Sequence, residues 1–161
     1  MTTIKKENYT FSVDTEMTRE YYETHSLCDC ENCRNYYKQI KDRFPKLGMF
    51  LSEFGVDISK PDEIFSFEME ECVDYINVDY TVCGRIEEMG ECDDIDIYED
   101  LPVKVAVTDG FNSPNEQTGD YFTLSVSKIM LPKVMNEAFA EDESGKTFIR
   151  ARELLKKLFG K

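Results

Sequence analysis

The sequence predicts an α+β domain: an antiparallel sheet of about five strands, a helical pair on one face and a further helix at the C-terminus. Three observations carry this reading. From Ile64 onward, apolar residues alternate with polar ones through several successive segments with no helical period between them, and strands that follow one another directly pair antiparallel. Between Cys33 and Phe54 the apolar residues recur instead at three- and four-residue steps, the spacing of one helix face. The length of 161 residues, 41% hydrophobic and 12% aromatic, is enough for one buried core without disulfide staples.

The elements follow in order. Tyr9, Phe11 and Val13 alternate with polar neighbours and predict a short strand with one buried face. Cys33, Tyr36, Tyr37, Ile40 and Phe44 mark a helix from about Glu31 to Arg43. Pro45 cannot continue that helix but suits the first turn of another, whose stripe is Leu47, Phe50, Leu51 and Phe54 and whose stop is Gly55. A bent hairpin or kinked pair is expected. Ile64–Met69 is the next strand. Ile76, Val78, Tyr80, Val82 and Ile86 then line one face of a long strand, with Asn77, Asp79, Thr81 and Arg85 on the other. Ile95 and Ile97, then Val103, Val105 and Val107, then Phe122, Leu124 and Val126 extend the sheet, and 109–120 is a long turn between two of its strands.

Residues 140–145 read as a linker or helix entry. Phe148, Ala151, Leu155, Leu158 and Phe159 form a last helical stripe closed by Gly160. The organisation is therefore one domain over 1–145 and an amphipathic helix over 146–161.

Charge narrows the partners. Thirty-three acids against 19 bases give a net charge of −14, which would repel nucleic-acid phosphates. Glu87, Glu88, Glu91, Asp93, Asp94, Asp96, Glu99 and Asp100 crowd one stretch without the spacing and glycine of a calcium loop. They read as a solvated strand edge that discourages edge pairing, or as a surface that docks a basic protein. The tail is opposite in sign: residues 146–161 hold six bases and one acid, a net +5 that leaves −19 on residues 1–145. Docking on the acidic body is the reading this favours, against a membrane-surface or partner helix. No apolar run follows Lys5 and Lys6, and none is long enough to cross a bilayer, so an intracellular protein is expected.

The cysteines carry the chemistry. Six in a reducing compartment suggest thiols or metal ligands rather than a disulfide framework. Cys28 and Cys30 are two apart, so their thiols point the same way in an extended loop. Cys30 and Cys33 are three apart, about one turn of a helix beginning near Glu31. Thiolates near that helix N-terminus are favoured by its partial positive charge, and tetrahedral zinc is the expected ion. His25, the only histidine, is the expected fourth ligand, with Cys72, Cys83, Cys92 or a water as alternatives. Arg34 is positioned to soften the residual negative charge. Two other readings stand beside zinc. The three are simple free thiols, or Cys30-Glu-Asn-Cys33 is a redox pair whose thiol pKa falls at the helix start. The antiparallel pattern downstream argues against a thioredoxin-like βαβ setting.

Cys28-Asp-Cys30-Glu-Asn-Cys33-Arg-Asn35, followed by Pro45, Gly55-Val-Asp57 and Lys60-Pro61-Asp-Glu63, resembles an uncharacterised family of small bacterial proteins with the pattern C-x-C-x-x-C-R-N, a helix, a proline, G-(I/V)-D and K-P-x-E. Gly84-Arg85-Ile86 resembles a later G-R-I element of that family. The resemblance is specific from Cys28 to Glu63, thinner to Ile129 and absent from the C-terminal helix. It implies a bacterial cytosolic protein with a shared fold, and it brings no activity.

No Ser-His-Asp set, phosphate-binding loop or dinucleotide fingerprint is present in a suitable context. The sequence therefore points first to a non-enzymatic, zinc-stabilised interaction module, of inhibitor or immunity type, for a basic target. A thiol-redox protein or thiol- or zinc-dependent enzyme using Cys30 and Cys33 is the alternative.

Overall fold

A computed structural model describes residues 1–91, 94–109 and 119–134. The elements run β1 (Thr2–Lys6), β2 (Tyr9–Val13), α1 (Thr15–Thr24), α2 (Glu31–Arg43), α3 (Pro45–Glu53), β3 (Glu63–Glu68), β4 (Cys72–Glu88), β5 (Ile95–Tyr98), β6 (Pro102–Thr108), β7 (Tyr121–Ser127) and β8 (Ile129–Pro132). Most of the turn placed at 109–120, Cys92, Asp93 and the C-terminal stripe at 146–161 lie outside the described residues.

The class is α+β, as the sequence predicts, but the sheet has eight strands rather than about five. The excess comes from short strands. In β1 only Ile4 is buried, and β8 is four residues ending in a proline. Helix α1 also escapes the pattern, because it buries only Thr18 and Tyr22. Its start is nonetheless encoded: the Asp14 carboxylate accepts from the Met17 N–H at 3.0 Å, an ordinary N-cap.

The 17-residue β4 is the spine. Along one edge it pairs with β3 over 73–79 and with β2 over 84–88; along the other it pairs with β8 over 72–75 and β7 over 78–83. The sheet continues through β6 to β5 on one side and through β2 to β1 on the other, and every pairing is antiparallel. Gly84 lies where β2 closes on β4. Its φ of +144° and the 2.2 Å that a Cβ would leave to the Ser12 carbonyl oxygen require glycine there.

Between β3 and β2 the edge of β4 faces no strand, and α1 stands in for one. The Cys83 N–H donates to Thr18 Oγ1 at 3.1 Å, and the Asp14 N–H donates to the Cys83 carbonyl at 2.9 Å. Thr81 is satisfied in the same way: its N–H donates to Asp62 Oδ2 at 2.7 Å, and its carbonyl accepts from the Tyr22 hydroxyl at 3.0 Å. Buried backbone groups must be paired, so the polar side chains of α1 and Asp62 do here what a strand does elsewhere. The polar face of β4 is buried at its middle, where Asp79 and Thr81 are 4% and 0% exposed, and is exposed at Arg85.

One irregularity alters the expected facing of β4. Phe65 pairs with Asn77 and Ser66 with Tyr75, so Ile76 is an extra residue in a bulge. Because side chains alternate strictly, one inserted residue reverses the phase. Tyr75 is buried and Ile76 is turned outward, 54% exposed, instead of sharing the face of Val78 and Tyr80.

Helices α2 and α3 meet at Phe44, with Pro45 opening α3 and Gly55 (φ +85°) following its end, as the sequence predicts. Helix α2 packs against β3 and β8, α3 against β5, and α1 against β4. The core is aromatic. Phe11 lies 5.3 Å from Phe54 and 5.1 Å from Phe122 between ring centroids. The buried Tyr36 and Tyr80 hydroxyls share a hydrogen bond of 2.6 Å, and the Tyr80 hydroxyl lies 2.7 Å from the Ile58 carbonyl oxygen. No described helix is long and apolar enough to cross a membrane.

Burial pushes the Tyr22, Tyr36 and Tyr80 phenols above their ordinary range, with added repulsion from Asp62 at Tyr22 and from neighbouring tyrosines at Tyr36 and Tyr80. The folded state thus holds these protons more tightly than the unfolded chain. Their contribution is complete below about pH 10 and is lost as pH rises above it. A circular-dichroism titration is expected to show a fold steady up to that point and cooperative alkaline unfolding beyond it.

Candidate metal centre

The segment from His25 to Cys30 joins α1 to α2; its α1 end is tied to the loop that leads into β3, and its α2 end to β3 and β4. At the α1 end, Lys60 Nζ donates to the Tyr22 carbonyl at 2.7 Å, and His25 Nε2 lies 3.1 Å from the Pro61 carbonyl oxygen, to which it donates. At the α2 end, the Tyr75 hydroxyl donates to the Asn32 carbonyl at 2.7 Å, and Asn32 Nδ2 donates to Ser66 Oγ at 3.2 Å. Asn35 Nδ2 donates to the Tyr75 hydroxyl at 3.1 Å. The chain between these anchors is short, which limits where its side chains can point.

Within it, the sulfurs of Cys28, Cys30 and Cys33 all lie within 4.8 Å of one another. Cys28 and Cys30 are exposed, and Cys33, in the first turn of α2, is buried. The group is therefore anchored on a helix and open to solvent on its loop side. A tetrahedral zinc–thiolate site sets sulfurs about 3.8 Å apart, from bonds of about 2.3 Å, so modest side-chain adjustment would let all three bind one ion. Together the three cysteines could hold a metal ion.

Their protonation is uneven. Partial burial raises the Cys30 thiol, but hydrogen bonds from Cys33, Cys28 and the Asn32 backbone outweigh it, and the net shift is downward. Burial, then the hydrogen bonds and charge of Cys30 and Cys28, push Cys33 far up. Neighbouring thiolates repel, so they cannot all ionise readily without a cation; a divalent ion between them reverses that penalty. Arg34 reaches Asp29 at 3.5 Å on the exposed rim.

His25 lies elsewhere. Its imidazole is 8% exposed and turned inward, with Nε2 on Pro61 and Nδ1 3.8 Å from Asp62 Oδ1. Among the described residues the ligand group holds three sulfurs and no imidazole. The physical reason is the Pro61–Asp62 pair, which offers the ring a buried polar site against β4. Cys72 and Cys83, the other described candidates for a fourth ligand, are buried on β4 and are not members of the group. Cys72 Sγ lies 3.7 Å from Met69 Sδ.

Asp62 is the residue that sequence reasoning passed over. Its side chain is fully buried and accepts from the Tyr21 hydroxyl and the Thr81 N–H, with the Tyr22 hydroxyl 3.4 Å away. The available signal was Lys60-Pro61-Asp62-Glu63, which reads as a turn, because nothing local in sequence indicates that its carboxylate serves a strand 19 residues on. The acidic stretch also has internal uses. Glu99 Oε1 accepts from the Leu47 N–H at 2.8 Å at the start of α3, and Lys104 bridges Asp96 at 3.1 Å and Asp94 at 3.9 Å.

Comparisons of the chain with protein-family models, curated proteins and solved structures find no match.

Replacing Asp62 tests the anchoring. Asp62→Ala leaves the Thr81 N–H and the Tyr21 hydroxyl without their acceptor and is expected to cost about 3 kcal/mol, read by urea unfolding. A loss of a few tenths of that size would show that the carboxylate is not what holds α1 to β4.

Proposed function

We propose that this protein is a non-enzymatic interaction module in which Cys28, Cys30 and Cys33 bind a structural zinc ion and an acidic surface receives a basic protein. The single observation behind the metal is the grouping of three sulfurs, two from a loop tied at both ends and one from the first turn of α2. Zinc suits it because thiolates are soft ligands and because a closed, redox-inert ion fixes a loop without demanding further chemistry. The ion would lock the α1–α2 connection, adding its binding free energy to the stability of the fold. The fourth position is taken by a water or by a residue other than His25, whose ring is occupied at Pro61.

The surface reading rests on net charge. Glu87, near the end of β4, and Glu91 are exposed, as is Asp94 just before β5, in a chain of −14. Such a field steers oppositely charged proteins and gives specificity through register more than through raw affinity.

The cysteine pair supports a second reading, a dithiol–disulfide couple between Cys30 and Cys33. Its supporting observation is the asymmetry between an exposed thiol held low and a buried one held high, the arrangement that lets one sulfur attack while the other follows.

Protein purified without chelator is expected to contain about one zinc per chain, with Cys28, Cys30 and Cys33 protected from alkylation until the metal is removed. Cys33→Ser should lose the ion and unfold at lower temperature, whereas His25→Ala should keep it. A metal-free protein that cycles between dithiol and disulfide would replace the zinc reading with the redox one. The surface is tested separately: basic proteins retained at low ionic strength should be released as salt rises, and retention of none at low salt would remove the partner proposal.

A further inference from the structure

The outward face of the β3–β4 hairpin is apolar where a solvated face is expected. Phe65 and Phe67 on β3 are 64% and 63% exposed, and the bulged Ile76 lies next to them on β4. Helix α2 covers the opposite face of β3, where Asn32 meets Ser66. The aromatic pair therefore lies on a side that no described element covers. β3 is also an edge, since among the described residues it pairs only with β4. Large exposed apolar clusters on a sheet edge are an aggregation hazard unless something covers them.

Acids surround this cluster. Glu63 and Asp74 share its face, the first two residues before Phe65 and the second paired with Phe67. Glu68, Glu70 and Glu71 crowd the hairpin end. The occupant that fits is thus apolar on one side and basic beside it.

The chain carries such a segment, and it departs from this place. β8 pairs with the opposite edge of β4 and ends at Pro132, opposite Cys72. The Lys133 N–H then donates to the Glu71 carbonyl, and Lys133 Nζ bridges to Glu68. The Val134 N–H donates to Asn35 Oδ1 at 3.0 Å, so the last described residue is held against α2 at the hairpin end of β3, and the chain beyond it must pass round this end to reach the Phe65–Phe67 side. Beyond it, Phe148, Ala151, Leu155, Leu158 and Phe159 recur at helical spacing, accompanied by Lys146, Arg150, Arg152, Lys156, Lys157 and Lys161. Eleven residues lie between Val134 and Lys146, a span of up to about 40 Å, well beyond the length of a six-residue strand.

We propose that residues 146–161 dock on the Phe65–Phe67–Ile76 face of the same chain, apolar stripe against apolar cluster and bases against Glu63, Asp74 and the hairpin acids. This covers the exposed edge of the sheet and places the net +5 of the tail where the body is acidic. It does not depend on the metal site.

The test is a photo-crosslink in the full-length protein, with p-benzoylphenylalanine replacing Phe67 and peptides mapped by mass spectrometry. Docking in cis predicts a monomeric product joining position 67 to a residue within 146–161, lost in the Leu155→Asp/Phe159→Asp double variant. The same double variant should retain the far-ultraviolet circular dichroism of the sheet, because neither substitution touches any of its described strands. A covalent dimer would show a second copy on this face instead. Adducts confined to other parts of the chain, or no adduct at all, would equally overturn the proposal.

Discussion

The backbone of Thr81 and Cys83 sets the architecture. β4 is longer than any strand that pairs with it, and β3 and β2 leave an interval between them on one edge. Four backbone groups in that interval would be buried and unpaired, each at a cost comparable to a lost hydrogen bond. Thr18, Asp14, Tyr22 and Asp62 supply their partners. Helix α1 is therefore held by the needs of a strand rather than by an apolar stripe of its own. Its low burial and its tight placement have the same cause.

The cysteine loop inherits its position from this arrangement. It leaves α1 beside Asp62 and enters α2 beside Tyr75, so both of its ends refer to β4. Side chains on so short a connection have few directions available, and three sulfurs meet. Burial, and then the hydrogen bonds among the crowded sulfurs, push Cys33 up, and hydrogen bonds from Cys33, Cys28 and the Asn32 backbone hold Cys30 low. A cation relieves the crowding, and a disulfide would relieve it differently. In either reading the fold brings the three sulfurs together at the start of α2.

What was legible in the sequence was what local chemistry determines. The span of α2, the proline that starts α3 and the left-handed Gly55 that follows it each depend on residues a few positions apart. So did the proximity of Cys28, Cys30 and Cys33, because a two-residue step in a loop and a three-residue step into a helix both converge. Long-range facts were not legible. His25 is three residues from Cys28, yet its ring belongs to Pro61 and Asp62, more than thirty positions away. The outward turn of Ile76 depends on one bulge against β3, which no alternation pattern within β4 reveals. Strands β1 and β8 exist because β2 and β4 offer them edges: β1 has one buried apolar residue, Ile4, and β8, though apolar, is only four residues long.

The central claim is that the three sulfurs are placed to share one point at the start of α2. Zinc-edge X-ray absorption on the protein loaded with a single equivalent of zinc tests it most directly. The account predicts three sulfur scatterers at about 2.3 Å and one lighter atom completing the shell. A first shell of oxygen and nitrogen alone, or with a single sulfur, would contradict it.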